Sequence, residues 1–171
     1  MGVLIMNKVL FSHKSDDWAT PKFLYWWYVV RCGYFDPCPL NCDHDSLLDD
    51  WSAYKNIFIN PLYSNISAFV DKAIDTYMAR RGDCHIVFLL PVRTDTRWFR
   101  RLMDFGCDIQ FIDHRLKFGD AKYSAPFPCM LLSLDAFCSS MEGRHVCRAD
   151  ITDLGFTKEL YDDFLNKGGT E

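Results

Sequence analysis

Apolar positions fall into two rhythms along this chain. A continuous apolar run occurs at 85–90, and further strand-like stretches at Ile57-Phe58-Ile59, Asp108 to Ile112 and Cys129 to Leu134. Runs this short and this continuous predict strands buried on both faces of a sheet, as in parallel α/β proteins. Between them a different spacing appears. Ile66, Phe69, Val70, Ala73, Ile74 and Tyr77 recur at helical intervals, which predicts an amphipathic helix over 65–81 stopped by Gly82. A second helix is predicted from Thr96 to Phe105, capped by Thr94-Asp95 and closed by Gly106. Near the start, Phe23, Leu24, Trp26, Trp27 and Val30 make a largely buried helix over 21–32. Thr20 would be its N-cap, Pro21 its first turn and Gly33 its C-terminal stop. Short strands are expected at 34–37 and 115–118, and a terminal helix from Thr157 to Asn166, ended by Gly168-Gly169. Residues 1–15 read as a poorly ordered lead-in or an edge strand.

Alternating strands and helices predict an α/β fold, a mostly parallel sheet flanked by helices. In such sheets ligands sit beyond the carboxyl ends of the strands. Asp36 and Asn60 would both stand there. Only 23 residues separate them, too few for two further strand–helix units, so the sheet is expected to be abbreviated.

Length and charge narrow the partners. A chain of 171 residues with 49% apolar and 16% aromatic content fits one well-filled domain. Its net charge of −4 rules out a global basic field. A nucleic-acid partner would have to meet local patches such as Arg80-Arg81 and Arg97/Arg100-Arg101, whose other reading is a solvated helix face. Val3-Leu4-Ile5-Met6 is far shorter than the roughly 18 apolar residues of a membrane span, and a cytoplasmic protein is expected. The eight cysteines show no disulfide framework. Cys32, Cys38, Cys42 and His44 have loosely metal-like spacing but no paired C-x2-C. Core or loop thiols are the simpler reading, and no metal is expected.

The stretch with the most chemistry is Asn56 to Ser64. A buried strand delivers Asn60-Pro61-Leu62-Tyr63 into a loop ahead of a helix. The Asn60 amide and the Asn60 and Pro61 carbonyls are acceptors, and Tyr63 has a flat face, a set suited to a planar nitrogen base. The plainer reading is a strand, a proline turn and a helix start.

Three stretches line up in order: Trp18-x-Thr20-Pro21, Phe35-Asp36-Pro37-Cys38 and Asn60-Pro61-Leu62-Tyr63. Asp45-Ser46-Leu47 and Trp51 lie between the last two. After them come Leu90-Pro91-x-Arg93-Thr94-Asp95-Thr96-x-Trp98-Phe99, Arg115-Leu116-Lys117-Phe118 and Ala125-Pro126-Phe127-Pro128. This set resembles the phage-type DNA N6-adenine methyltransferase family (Dam-like) over about residues 16–135.

The resemblance implies an abbreviated Rossmann-like methyltransferase fold that transfers a methyl group from S-adenosylmethionine to the N6 amino group of adenine in DNA. By the family's motif, Asn60 supplies a side-chain acceptor, Pro61 a carbonyl and Tyr63 a stacking face for a flipped base. Thr20, Pro21, Asp36, Pro37, Cys38 and Asp45 fall at cofactor positions. Leu62, Arg93, Thr94 and Arg97 fall where DNA would lie, although Arg93 could instead pair with Asp95. Residues 136–171 form a C-terminal extension with a helix. The chain departs from the family pattern in three places. Leu62 replaces a second proline, Ser46 replaces a glycine, and the Gly-rich cofactor loop is missing. A catalytically weak or inactive relative that binds DNA or a protein partner is the alternative these departures raise.

Overall fold

A computed structural model describes residues 18–135, 146–149 and 158–166. Five strands form one sheet: β1 (Asn56–Ile59), β2 (His85–Pro91), β3 (Asp108–Ile112), β4 (Cys129–Leu134) and β5 (Val146–Ala149), in the order β1-β2-β4-β3-β5. β1 pairs with β2 and β3 with β5 in parallel, whereas β4 is antiparallel to both of its neighbours. The α/β class holds, but the mostly parallel sheet does not; the sheet is mixed. The physical reason lies between β3 and β4. Residues 113–128 contain no helix, and a parallel return needs a crossover that is usually helical. The apolar runs reported burial on both faces, which β4 shares whatever its direction.

β1 and β2 sort their side chains with period two. Ile57, Ile59, Ile86, Phe88 and Leu90 point to one face, where α2 (Ile66–Ala79) and α3 (Arg97–Phe105) cover them. Phe58, Val87 and Leu89 point to the other face. There the cover is α1 (Lys22–Tyr25), its continuation as a widened π-helical segment (Trp26–Arg31), and the loop that carries Leu116 and Phe118. Tyr28 stacks on Phe58 at 4.6 Å between centroids. Arg31 lies over the Trp26 and Trp27 rings. Gly33 ends the segment at φ +69, which a residue with a Cβ adopts at a cost.

Several local expectations change. Thr20 does not cap the first helix. Pro21 occupies the N-cap position, and the Thr20 hydroxyl is bonded to Asn60 instead. The strand at 34–37 shrinks to a single parallel bridge between Phe35 and Ile57, because Asp36 turns the chain and Pro37 has no N–H to donate. No strand forms at 115–118. Leu116 and Phe118 are buried in alternation, but they pack on the sheet face from a loop closed by Ala125 N–H bonding the Leu116 carbonyl. Thr96 is the α3 cap, not Thr94-Asp95; its hydroxyl accepts from Phe99 N–H.

Toward the C-terminus, β5 joins the sheet, an element for which the apolar pattern has no signal. α4 (Lys158–Asn166) sets Phe164 against Trp26 at 5.4 Å. Residues 1–15, Thr157 and Gly168-Gly169 lie outside the described residues. No helix among the described residues is long and apolar enough to cross a membrane.

Candidate active site

The Phe35–Ile57 bridge runs parallel to β1, so the chain leaves both at the same end of the sheet. β2 ends there too, at Pro91, and the loop 113–128 leaves β3 and enters β4 at that end. A cavity of about 390 Å³ opens beside it, lined among others by Thr20, Pro37, Cys38, Asp45, Asn60 and Pro61. That lies within the usual size of small-molecule sites.

Asn60 sits at the base of this arrangement and is only 6% exposed. Its Nδ2 donates to the Trp18 carbonyl at 2.6 Å and to Thr20 Oγ1 at 3.1 Å. A carbonyl can only accept, so these contacts fix which end of the amide is nitrogen. They leave Oδ1 buried with no hydrogen-bond partner among the described residues. An unpaired buried acceptor costs about 1–3 kcal/mol, so it calls for an explanation. A donor brought to the site would satisfy it.

Pro61 is buried beside it, and Leu62 is 45% exposed on the cavity wall. Leu62 has φ −55, the value a proline ring would impose, so this chain keeps the proline-like backbone without the proline. Tyr63 lies outside the cavity wall. Its ring runs nearly parallel to the Trp18 indole at 6.3 Å, and Phe127 meets it edge-on at 5.5 Å. Its hydroxyl and the indole Nε1 of Trp18 are also buried without partners. Burial pushes the Tyr63 phenol far above its ordinary pKa, so it stays protonated.

Among the expected cofactor residues, Thr20, Pro37, Cys38 and Asp45 line the cavity, while Pro21 and Asp36 do not. The Asp36 carboxylate accepts from Cys38 N–H at 2.8 Å. Burial raises its pKa to about 6, with that hydrogen bond pulling the other way. Burial likewise pushes the Cys38 thiol up, out of the thiolate range. Asp45 caps a short 3-10 turn, Ser46–Leu48, by accepting from Leu47 N–H at 3.0 Å. Trp51 is a core residue, 1% exposed, with its indole N–H on the Ser46 carbonyl.

The structure does not bring the expected DNA-facing residues together. Leu62 is at the cavity, Arg93 and Thr94 follow β2 at the same sheet end, and Arg97 lies on the outer surface of α3. Arg93 makes no ion pair with Asp95 among the described residues, so the internal salt-bridge reading does not hold. The metal-like foursome also fails to assemble. Cys42, Asp43 and His44 converge, all exposed, but Cys32 and Cys38 stay outside. His44 is held by Asp49 and Asp43, which raise its pKa. Trp18, Phe118 and Phe127 stand in the ordered motifs but were given no site role by the sequence; Trp18 and Phe127 pack on Tyr63, and Phe118 packs on Trp18. The motif order signalled that they matter, but not that they meet.

The structure is an α/β protein with a sheet-end cavity beside an oriented, unpaired amide oxygen, an arrangement suited to a ligand that donates hydrogen bonds. The comparison with protein families makes this specific. The model of the DNA N-6-adenine-methyltransferase (Dam) family matches residues 8–132, and the chain belongs to that family. No curated protein and no solved structure matches it.

Proposed function

We propose that the chain transfers a methyl group from S-adenosylmethionine to the N6 amino group of adenine in DNA, within an abbreviated Rossmann-like methyltransferase fold of phage or prophage origin. The observation that carries this reading is the Asn60 amide, anchored through Nδ2 with Oδ1 buried and unpaired. An exocyclic amino group is the donor such an oxygen lacks. Its lone pair is delocalised into the ring, which makes it a poor nucleophile. Accepting one N–H at Asn60 Oδ1 and the other at the Pro61 carbonyl draws the nitrogen toward a tetrahedral form and frees the lone pair. Neither carbonyl has another partner among the described residues, and both are preorganised by the fold. Positioning does the rest, by holding the amino group in line for attack.

S-adenosylmethionine, when bound, supplies an electrophilic methyl on a sulfonium. The residues that would hold it are those of the 390 Å³ cavity, Thr20, Pro37, Cys38 and Asp45, with Asp36 fixing the Cys38 backbone through its N–H and Pro21 following Thr20 in the chain. Tyr63 would stack on the base. Arg93, Thr94 and Arg97 would meet the DNA backbone, so binding should weaken steeply with salt.

The test is methyl transfer from labelled S-adenosylmethionine to unmethylated DNA, followed by nucleoside analysis. Label in N6-methyladenine is the expected result. Label on cytosine overturns the adenine assignment. DNA or cofactor binding without any transfer establishes the catalytically silent relative in its place.

A further inference from the structure

Trp18 is the least expected occupant of this region. Its indole is half-buried and packs against three rings. Tyr63 lies nearly parallel to it at 6.3 Å and 24°, Phe118 meets it edge-on at 5.3 Å, and Phe127 edge-on at 5.4 Å. Phe118 and Phe127 also touch each other at 6.1 Å, and Phe127 touches Tyr63 at 5.5 Å. The three therefore form a continuous aromatic box. Such a box fits a flat, fused bicyclic heterocycle, and indole and purine share that outline.

Shape is matched, but polarity is not. The unpartnered buried polar atoms among the described side chains are Trp18 Nε1, Asn60 Oδ1 and Tyr63 OH, and all three belong to this box or its floor. Buried polar atoms rarely go unpaired, and three in one place call for an explanation. An indole offers a single N–H and no acceptor, and it leaves all three unpaired. Adenine has an amino group that donates and ring nitrogens that accept, the complement of a free amide oxygen and a hydroxyl.

The backbone beneath the indole is pinned independently of the ring. The Trp18 carbonyl accepts from Asn60, Gly119 approaches so closely that an added Cβ would lie 2.9 Å from Ala19 Cβ, and Lys22 pairs with Asp120 at 2.8 Å. The contact that orients Asn60 is made by the Trp18 carbonyl, so it does not depend on where the indole sits.

Resting on the adenine reading above, we propose that the Trp18 indole is a built-in placeholder. It fills the Tyr63–Phe118–Phe127 box in the free protein and gives way to the target adenine when that base is flipped in. Trp18 is then a gating residue, not a catalytic one. It competes with free nucleosides for the box, so that they displace it only at high concentration, whereas a base delivered with the binding energy of its DNA displaces it readily.

The probe is free deoxyadenosine, with thymidine as control, on full-length protein labelled with 5-fluorotryptophan, the Trp18 fluorine signal being assigned with Trp18→Phe. Trp18→Ala empties the box, and it should bind deoxyadenosine at least about tenfold more tightly than the unmodified protein while still ignoring thymidine. In the unmodified protein, high deoxyadenosine should shift the Trp18 signal toward a solvent-exposed environment. Trp18→Ala that melts cooperatively yet binds deoxyadenosine no better overturns the placeholder role, and so does a Trp18 signal unmoved by it. Trp18→Phe, which retains a smaller ring, should fall between the two; equal affinity in all three proteins overturns the proposal even if Trp18→Ala is poorly folded. Methyl transfer by the unmodified protein is scored separately. Transfer without tighter binding by Trp18→Ala removes the placeholder alone, whereas tighter binding without transfer removes the methyltransferase reading alone.

Discussion

The two faces of the sheet are built by different means. On the α2/α3 face, two amphipathic helices lay regular apolar stripes over Ile57, Ile59, Ile86, Phe88 and Leu90. Polar groups along the middle of that face find partners. The Trp51 indole bonds the Ser46 carbonyl, and Lys72 bonds the Leu47 and Asp49 carbonyls. On the other face a short helix, its widened continuation and a long loop pack aromatic rings over Phe58, Val87 and Leu89. Where the two faces meet at the sheet end, Tyr63 packs on the first core and Trp18 on the second, and both leave polar atoms unpaired beside Asn60. The unpaired polar atoms gather at the sheet end where the two faces meet, not under the regular helices. A fold can tolerate unsatisfied groups only where the rest over-determines the structure, which is why they concentrate at functional sites.

The sharpest way to break this contrast is Asn60→Ala. If the irregular end exists for chemistry, transfer should fall by roughly a thousandfold, as when a preorganised transition-state hydrogen bond is lost, with cofactor affinity nearly unchanged. Single-turnover methylation and cofactor titration measure the two. Comparable activity in the mutant would remove Asn60 from the mechanism.

The opposite pattern is expected at the regular face. Leu102 is fully buried between α3 and the sheet. Leu102→Ala should cost about 3 kcal/mol in denaturant unfolding, through lost burial and the cavity left behind. Its activity at a temperature where it stays folded should be close to normal.

Asp36 has an intermediate effect with a distinctive sign. Its folded pKa of about 6 lies above the ordinary carboxyl value, so the native state holds this proton more tightly than the unfolded chain. Its stabilising contribution is therefore full below about pH 4 and lost as the pH rises through 6. Asp36→Asn should gain roughly 2 kcal/mol over the unmodified protein between pH 4 and pH 7. Unfolding curves at the two pH values check this, and a gap that does not widen with pH would mean the carboxyl is well solvated.

Leu62→Pro should have the smallest effect. Leu62 already has φ −55, and its N–H has no acceptor among the described residues, so proline fits without strain. A gain of about 0.4–1 kcal/mol is expected from the stiffer unfolded chain, with activity equal or higher. A loss of stability would show that the loop needs the freedom leucine allows.

Much of the regular face was legible in the sequence. The stripe from Ile66 to Tyr77 and the runs at 57–59, 85–90 and 129–134 fold as their spacing predicts. Burial leaves a periodic trace that local reading recovers. The irregular face was less legible. Leu116 and Phe118 alternate as a strand would, yet they sit in a loop, because alternation reports which side chains are buried and not which backbone groups pair. Thr20 has the chemistry of a cap and serves Asn60 across the fold instead.

By itself the sequence determined the class of fold, the strand that presents Asn60 and the ordered motifs that the family match over residues 8–132 bears out. The direction of β4 was decided only in three dimensions, because a strand's apolar run is the same read either way. So was the encounter of Trp18, Tyr63, Phe118 and Phe127, which stand up to 109 positions apart. Rings so distant meet only when the sheet brings its loop ends together. The unpaired oxygen of Asn60 is likewise a property of no single residue, since it exists because the other end of the amide is held by Trp18 and Thr20.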